Sequence, residues 1–344
     1  ALLLAVVLGV IVALVMEFLA PWFVDLMGAG ADVADPAVSY LRIRALATPA
    51  VLVVMAGHGA FRGHKDTRTP LKVALGVNLL NLVLDPLLIF GLGWGLEGAA
   101  VATAVAQYLG AVWFLRLIVR RNMGARPRGL RESLPSLLDL GRNGALLTAR
   151  TGLLLIALTI AASVATRLGP SQIAAHQLVA QIFLLSALLA DSFAIAAQAM
   201  VGETSARGDI AELDALNRRL LAWGVVAGLI LMLAVGLGRY GLDWLASEQV
   251  VADLAVRAGG VVALSEPVAA VVFVADGIFL GLLALGMMVA STGAGAAVAV
   301  SLMLFTPLGS TIDGIWWSLA AMFLVRGLVF VAGYRRSALT AVRS

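Results

Sequence analysis

Ten continuous apolar stretches constrain the fold of this chain more than any other feature. Each is about 20 residues or longer, the length that a helix needs to cross the hydrocarbon core of a bilayer. Apolar residues follow one another without alternating with polar ones, which indicates helices rather than transmembrane β-strands. The sequence therefore predicts an all-α, polytopic integral membrane protein with about ten transmembrane helices, over residues 1–28, 37–61, 70–91, 97–119, 143–168, 172–202, 219–238, 250–281, 282–306 and 313–334.

The composition supports a membrane location and excludes several classes of chemistry. Charged residues make up 13% of the chain, whereas soluble domains carry about 25%. There is no Cys, so disulfides, thiolate metal sites and cysteine nucleophiles are excluded. No P-loop or Ser-His-Asp cluster is present, and the glycine pattern at 93–98 follows no strand, so it is not a dinucleotide fingerprint. We expect no enzyme activity, no cofactor and no nucleic-acid partner.

Lys and Arg residues cluster in alternate loops, and this bias predicts orientation because basic loops stay in the cytoplasm. The opposite loops hold only Arg167 and Arg239. We expect a multi-pass protein of the plasma (inner) membrane with its basic loops and C-terminus in the cytoplasm. The Arg-rich stretch 121–142 is predicted to be a cytoplasmic linker between an N-terminal lobe, 1–120, with four helices and a C-terminal lobe, 143–344, with six.

An internal repeat relates the two lobes. Pro49, followed by Gly59-x-Phe61-x-Gly63, recurs 218 residues later as Pro267 followed by Gly277-x-Phe279-x-Gly281. Both copies enter the membrane from the same side, so the sequence predicts a parallel repeat that forms two pseudo-symmetric bundles. Gly59 and Gly63 also fit a small-residue motif that predicts close helix approach.

Asp85 is the leading candidate for a functional residue, because a charge within a spanning helix is costly. Asn81 lies one turn before it on the same helix face. Pro86 removes a backbone donor and frees a carbonyl oxygen nearby. These hard oxygen ligands suit Na⁺, and the same carboxylate could take up a proton. The alternatives are an Asp that caps a Pro-broken helix or pairs with an Arg.

The second lobe carries further polar candidates within its apolar stretches. They are expected to line a substrate cavity or, in the case of the residues near 176–198, to form a buried hydrogen-bonded network that fixes helix packing. Arg150 is expected either to pair with an unidentified carboxylate or to line the cavity. Asp276 occupies the position that His58 holds in the first copy of the repeat, a match that also suits contact between lobes. The candidates are His176, Gln177, Asp191, Gln198, Asp276 and Arg150.

A further set of motifs lies at 40–46, 59–70, 81–86, 98–103, 174–177, 191–194 and 198–202. In their residues and in their order along the chain, they resemble the multidrug and toxic compound extrusion (MATE) family and its DNA-damage-inducible-F-like branch. The resemblance implies twelve helices in two bundles and a cation or proton pocket in the first lobe, to which Asn81, Asp85 and Thr103 correspond. It also implies that the first apolar stretch is the family's third helix, so the family's first-helix Asp has no counterpart in this sequence.

The resemblance implies a secondary antiporter that exports amphipathic or cationic compounds in exchange for H⁺ or Na⁺. We expect the protein to be a monomer in contact with membrane lipid. No metal is expected beyond Na⁺ at Asp85. Two alternatives stay open. A lipid-linked oligosaccharide flippase of the same superfamily would carry a strongly cationic cavity, for which Arg150 is the candidate. A non-transporting, truncated membrane remnant is the other.

Overall fold

A computed structural model describes residues 2–26, 31–64, 66–121, 130–246 and 248–343. These residues form helices and turns, with no β-strand among them. Nine helices are long and apolar enough to cross a membrane, and a bent pair, Ala34–Leu46 and Thr48–Gly63, raises the number within the described ranges to ten. Each predicted apolar stretch corresponds to one of these spans, so the predicted all-α membrane fold is confirmed.

The chain divides into two compact units, Ala1–Leu137 and Leu138–Ser344. The core of the first unit includes Phe61, Val73 and Phe114, which are fully buried. A π-helical turn, Leu87–Gly91, follows the fourth helix and precedes the fifth. The helices of this unit are α1 (Leu2–Leu26), α2 (Ala31–Leu46), α3 (Thr48–Gly63), α4 (Arg68–Pro86) and α5 (Gly95–Arg120).

The second unit is built around its fourth helix, α9, which packs against α7, α8 and α11. Its helices are α6 (Leu130–Leu168), α7 (Pro170–Ala206), α8 (Ile210–Gly238), α9 (Gln249–Gly281), α10 (Leu285–Phe305) and α11 (Ile312–Arg343). Helix α6 begins at Leu130, within the stretch 121–142 that is predicted to be a cytoplasmic linker. Residues 122–129 of that stretch lie outside the described residues.

The bend between α2 and α3 measures 45° and lies just before Pro49. Proline has no N–H to donate, and its ring clashes with the carbonyl four residues earlier, which favours a bend at this point. The break between α9 and α10 has another origin. Leu283 adopts a left-handed conformation with φ 54°. Ala284 donates to the Phe279 carbonyl and Leu283 to the Leu280 carbonyl, the pairing of a Schellman motif that ends a helix.

Equivalent contacts recur in the two units. A Cβ at Gly9 would overlap Cα of Pro49, and a Cβ at Gly228 would overlap Cα of Pro267. The ring of Phe61 packs 5.7 Å from that of Phe114. In the second copy Phe279 and Phe330 stack at 4.5 Å. The repeated sequence therefore produces the same helix crossings twice.

The small-residue prediction for Gly59 and Gly63 is wrong. A Cβ placed at either residue would have no described atom within 4 Å. Both glycines are exposed, whereas Gly57 on the same helix contacts the ring of Phe114. The close approach therefore uses a different face of α3, and spacing alone does not identify that face.

Candidate functional site

The first-unit site lies near the end of α4. Asn81 and Asp85 are one turn apart and partly exposed, but the Oδ1 atom of each is buried. Neither Oδ1 has a hydrogen-bond partner among the described residues. After Pro86 the helix widens into the π-helical turn, a distortion that is frequent at functional sites. Two buried acceptors without donors, next to a distorted helix end, are suited to a cation or a proton.

Thr103 lies in the neighbouring helix α5, at about the same height along the helix axis as Asp85. A Cβ at Gly98 would contact the Leu88 carbonyl at 2.9 Å, and one at Gly110 would contact Val77 at 2.7 Å. The two helices are therefore antiparallel, and this register places Thr103 between the levels of Val83 and Leu84, within about half a turn of Asp85. Its hydroxyl donates to the Ala99 carbonyl at 2.9 Å and retains free lone pairs. No hydrogen bond joins Thr103 to Asn81 or Asp85 in the described part of the chain.

In the second unit, Asp276 of α9 forms ion pairs with two arginines. Arg326 of α11 donates from Nη2 to Oδ1 at 2.8 Å and to Oδ2 at 2.7 Å. Nη2 of Arg150, from α6, donates to Oδ2 as well. Asp276 is 3% exposed and Arg326 is 2% exposed. Two guanidinium groups face one carboxylate, so the three side chains together carry a net positive charge.

The same arginines line a cavity of about 210 Å³ between α6, α7, α9 and α11. Its walls are mostly apolar and include Phe183 and Phe323. Asp191 also lines this cavity, is exposed, and forms no ion pair with a described residue. Arg150 thus pairs with Asp276 and also lines this cavity, while its role toward a substrate stays a prediction.

The remaining candidates lie elsewhere in the second unit. His176 is 5% exposed, and its ring lies 5.3 Å from that of Trp316. Gln177 lines a separate, wider cavity of about 540 Å³ with Gln181 and Glu248. Gln198 is exposed. Along α7, His176 and Gln198 are about 33 Å apart at 1.5 Å per residue, so these candidates do not converge on one site.

Arg326 and Glu266 matter more in the structure than in the sequence analysis. Arg326 is the largest of the fully buried side chains, and Glu266 is 2% exposed. Ser186 of α7 donates to Oε1 of Glu266 at 2.6 Å. The available signal was a charged residue within an apolar stretch. It singles out Arg326 as needing a carboxylate partner, but it does not say which carboxylate.

Comparison with known proteins decides the family. The MatE family profile matches residues 1–87 and 152–305, which is most of the chain. The chain belongs to the MatE family. The matched ranges of this MatE protein include Asn81, Asp85 and Asp276, and they leave out Thr103, Arg150 and Arg326.

Relatives of this MatE chain occur in plants and bacteria. Protein DETOXIFICATION 44, chloroplastic, of Arabidopsis thaliana is 34% identical over 342 residues, which cover 96% of this chain and 63% of the relative. DNA damage-inducible protein F of Escherichia coli (strain K12) is 28% identical over 97% of this chain and 74% of its own. The chain spans 60–64% of the length of four Arabidopsis DETOXIFICATION relatives, proteins 42 to 45.

Solved structures share the fold. A MATE structure in complex with MaL6 superimposes with a TM-score of 0.89 at 20% identity, covering 99% of this chain and 78% of that one. The Vibrio cholerae MATE transporter VcmN in the bent form gives a TM-score of 0.82 at 17% identity, covering 99% and 78%. The all-α MatE fold extends over both units of this chain.

Proposed function

We propose that the protein is a secondary active antiporter that exports amphipathic or cationic organic compounds by alternating access, coupled to H⁺ or Na⁺. It acts as a monomer in the plasma (inner) membrane, with its basic loops and C-terminus in the cytoplasm. Membership of the MatE family and relatives named for detoxification support export. The coupling ion binds at Asp85, assisted by Asn81 and Thr103.

The observation that carries this proposal is the pair of buried, unpartnered Oδ1 atoms of Asn81 and Asp85. Buried polar atoms are almost always hydrogen-bonded, so two such acceptors one turn apart favour binding of a positive species. Na⁺ would be held by the carboxylate and amide oxygens, with the Thr103 hydroxyl at the same height. A proton would bind to the carboxylate alone. In either case, neutralising Asp85 changes the free energy of burying it, and this change favours one arrangement of the helices over another.

The test is ion-driven efflux of a fluorescent cation from proteoliposomes under an imposed pH gradient or Na⁺ gradient. Asp85→Asn keeps the shape of the side chain and cannot change charge, so we expect coupled efflux to fall at least tenfold. Asp25→Asn is the control, because Asp25 is an exposed acid at the end of α1. Undiminished coupled efflux by Asp85→Asn would refute the assignment, and the effective gradient identifies the ion.

A second candidate function is a lipid-linked oligosaccharide flippase of the same superfamily. Arg150 and the buried Arg326 both line one cavity. This favours a flippase, because a phosphate-bearing substrate requires cationic side chains. The two functions predict different substrates in one assay. A flippase would move a fluorescent lipid-linked phospho-oligosaccharide across the liposome bilayer, and it would not export a free organic cation. The Arg150→Gln variant of a flippase would lose the oligosaccharide transport.

A further inference from the structure

A cavity of about 340 Å³ lies between α8, α9 and α11 of the second unit, and neither Asp276 nor its two arginines line it. One end is polar and contains Asp214, Asn217, Arg218, Tyr334 and Arg335. The other end is lined by apolar residues, among them Val271, Phe330 and Val331. A cavity with one charged end and one apolar end fits an amphipathic ligand.

The polar end has a surplus of positive charge. The hydroxyl of Tyr334 donates to Asp214 at 2.7 Å and accepts from the Asn217 amide at 2.5 Å, so the carboxylate of Asp214 is already engaged. Arg218 and Arg335 are exposed and form no ion pair within the described ranges. Two arginines therefore face the cavity mouth with one engaged acid beside them, and an anion would complement them.

Asn217 adds a second, independent indication of a ligand. It is only 3% exposed, and its Oδ1 is buried without a hydrogen-bond partner in the described part of the chain. Its amide nitrogen is used by Tyr334. The cavity thus offers cations for an anionic group and one buried acceptor for a hydroxyl or ammonium of the same ligand.

The location of the cavity along the membrane spans decides between an aqueous and a lipid ligand. Arg335 is the last residue of the span Ile312–Arg335, and Arg218 lies in the first turns of the span Ile210–Leu242. The charged end is therefore at the membrane–water interface, where headgroup phosphates lie. The apolar end extends into the span along Val331, which is 80% exposed and faces the acyl chains.

We propose that this cavity binds one anionic glycerophospholipid. The phosphate lies between Arg218 and Arg335, a headgroup hydroxyl donates to Asn217, and an acyl chain follows the apolar wall of α9 and α11. Basic pockets between transmembrane helices on the cytoplasmic side recognise anionic headgroups by the same physics. The bound lipid joins α8 to α11 at this end of the unit and stabilises their packing.

The test is native mass spectrometry of the detergent-solubilised full chain with dioleoylphosphatidylglycerol or dioleoylphosphatidylcholine, together with melting temperatures under the same conditions. We expect wild-type protein to retain one phosphatidylglycerol preferentially and to melt at a higher temperature with it. Arg218→Gln with Arg335→Gln should weaken retention about fivefold for each arginine. Arg219→Gln is the matched control, since Arg219 is exposed on the same helix but does not line the cavity.

A second variant tests the apolar end without changing charge. Gly327 lines the cavity, and a Cβ there would be in ordinary contact with Val272 at 3.5 Å. Gly327→Leu should fill the space for the acyl chain and abolish preferential retention while both arginines remain. Equal retention by wild type and the double arginine variant, or equal loss in Arg219→Gln, would overturn the proposal. Stabilisation by soluble glycerol phosphate to the same extent as by the lipid would also overturn it.

Discussion

Arg326 donates from a single guanidinium nitrogen to both carboxylate oxygens of Asp276, at 2.8 and 2.7 Å. The two side chains come from α11 and α9 and are almost completely buried. Arg150 approaches the same carboxylate from α6, with 20% of its side chain exposed. Three helices of the second unit are therefore joined at one acid, and the two arginines and the acid together leave a net positive charge beside the cavity.

Replacing that acid should be severely destabilising. In Asp276→Asn two guanidinium groups lose their counter-charge, and removing one partner of a buried ion pair costs about 3–5 kcal/mol. Asp191→Asn provides the control, since Asp191 lines the same cavity without an ion pair to a described residue. Urea or thermal unfolding in detergent measures the difference. Equal stability of the two variants would show that Asp276 does not hold these helices together.

The hydroxyl of Ser186 is predicted to matter for a similar reason. It donates to Glu266, a carboxyl group that is 2% exposed and forms no ion pair with a described residue. Ser186→Ala leaves this oxygen without its donor and should cost about 1–3 kcal/mol in unfolding free energy. Ser192→Ala should cost less than about 0.5 kcal/mol, since Ser192 is exposed and bonds only to a carbonyl of its own helix. A reversed order of the two variants would contradict the prediction.

The end of α9 offers a stabilising substitution. Leu283 has φ 54°, a region where a residue with a Cβ is strained by about 1–2 kcal/mol. Leu283→Gly should therefore raise the unfolding free energy by about 0.5–1 kcal/mol, after the greater freedom of glycine in the unfolded chain is subtracted. Leu264→Gly, at an exposed position within α9, should lower it by about 1 kcal/mol. The two melting temperatures should move in opposite directions, and a parallel shift would exclude backbone strain at Leu283.

The turn between α3 and α4 should give a pH-dependent contribution to stability. Hydrogen bonds to Asp66 from the hydroxyl and backbone N–H of Thr69, and from Arg121, hold the pKa of its carboxyl well below the ordinary value. The stability gained from a lowered pKa is complete above the ordinary value and is lost as pH falls toward the lowered one.

The melting-temperature difference between wild type and Asp66→Asn should accordingly be constant from neutral pH to about pH 5 and shrink below about pH 4. Asp139→Asn, which changes an exposed acid of α6, corrects for the general effect of removing a charge. A difference that grows on acidification would mean that these hydrogen bonds do not favour the ionised form.

Asp85 could be singled out from its charge within an apolar stretch, whereas Thr103 was accessible from sequence only through family resemblance. Asn81 and Asp85 are one turn apart on one helix, so their proximity follows from helix geometry alone. Thr103 belongs to another helix, and its height depends on how Gly98 and Gly110 allow α5 to approach α4. The roles of these three residues stay predictions until the transport assay is done.

The second-unit residues illustrate the limit of sequence reasoning. Charges at 150, 276 and 326 can each be recognised as costly within an apolar stretch. Nothing in the chain order says that residues 126 and 50 positions from Asp276 reach the same carboxylate, since that depends on the packing of α6, α9 and α11. The same holds for His176, Gln177 and Gln198, which share α7 with Asp191 but lie in different surroundings.

The lengths of the apolar stretches determined the number of spans, because lipid requires each segment to satisfy its own backbone hydrogen bonds. The repeat with an offset of 218 residues determined the matching helix crossings of the two units. Helix packing decided the remainder: which glycines permit close contact, that Asp276 meets two arginines, and that Arg218, Asn217 and Arg335 share one cavity. Such encounters depend on the rotation and register of helices distant in sequence. The free energy that sets them comes from side-chain contacts, which exist only once the helices have assembled.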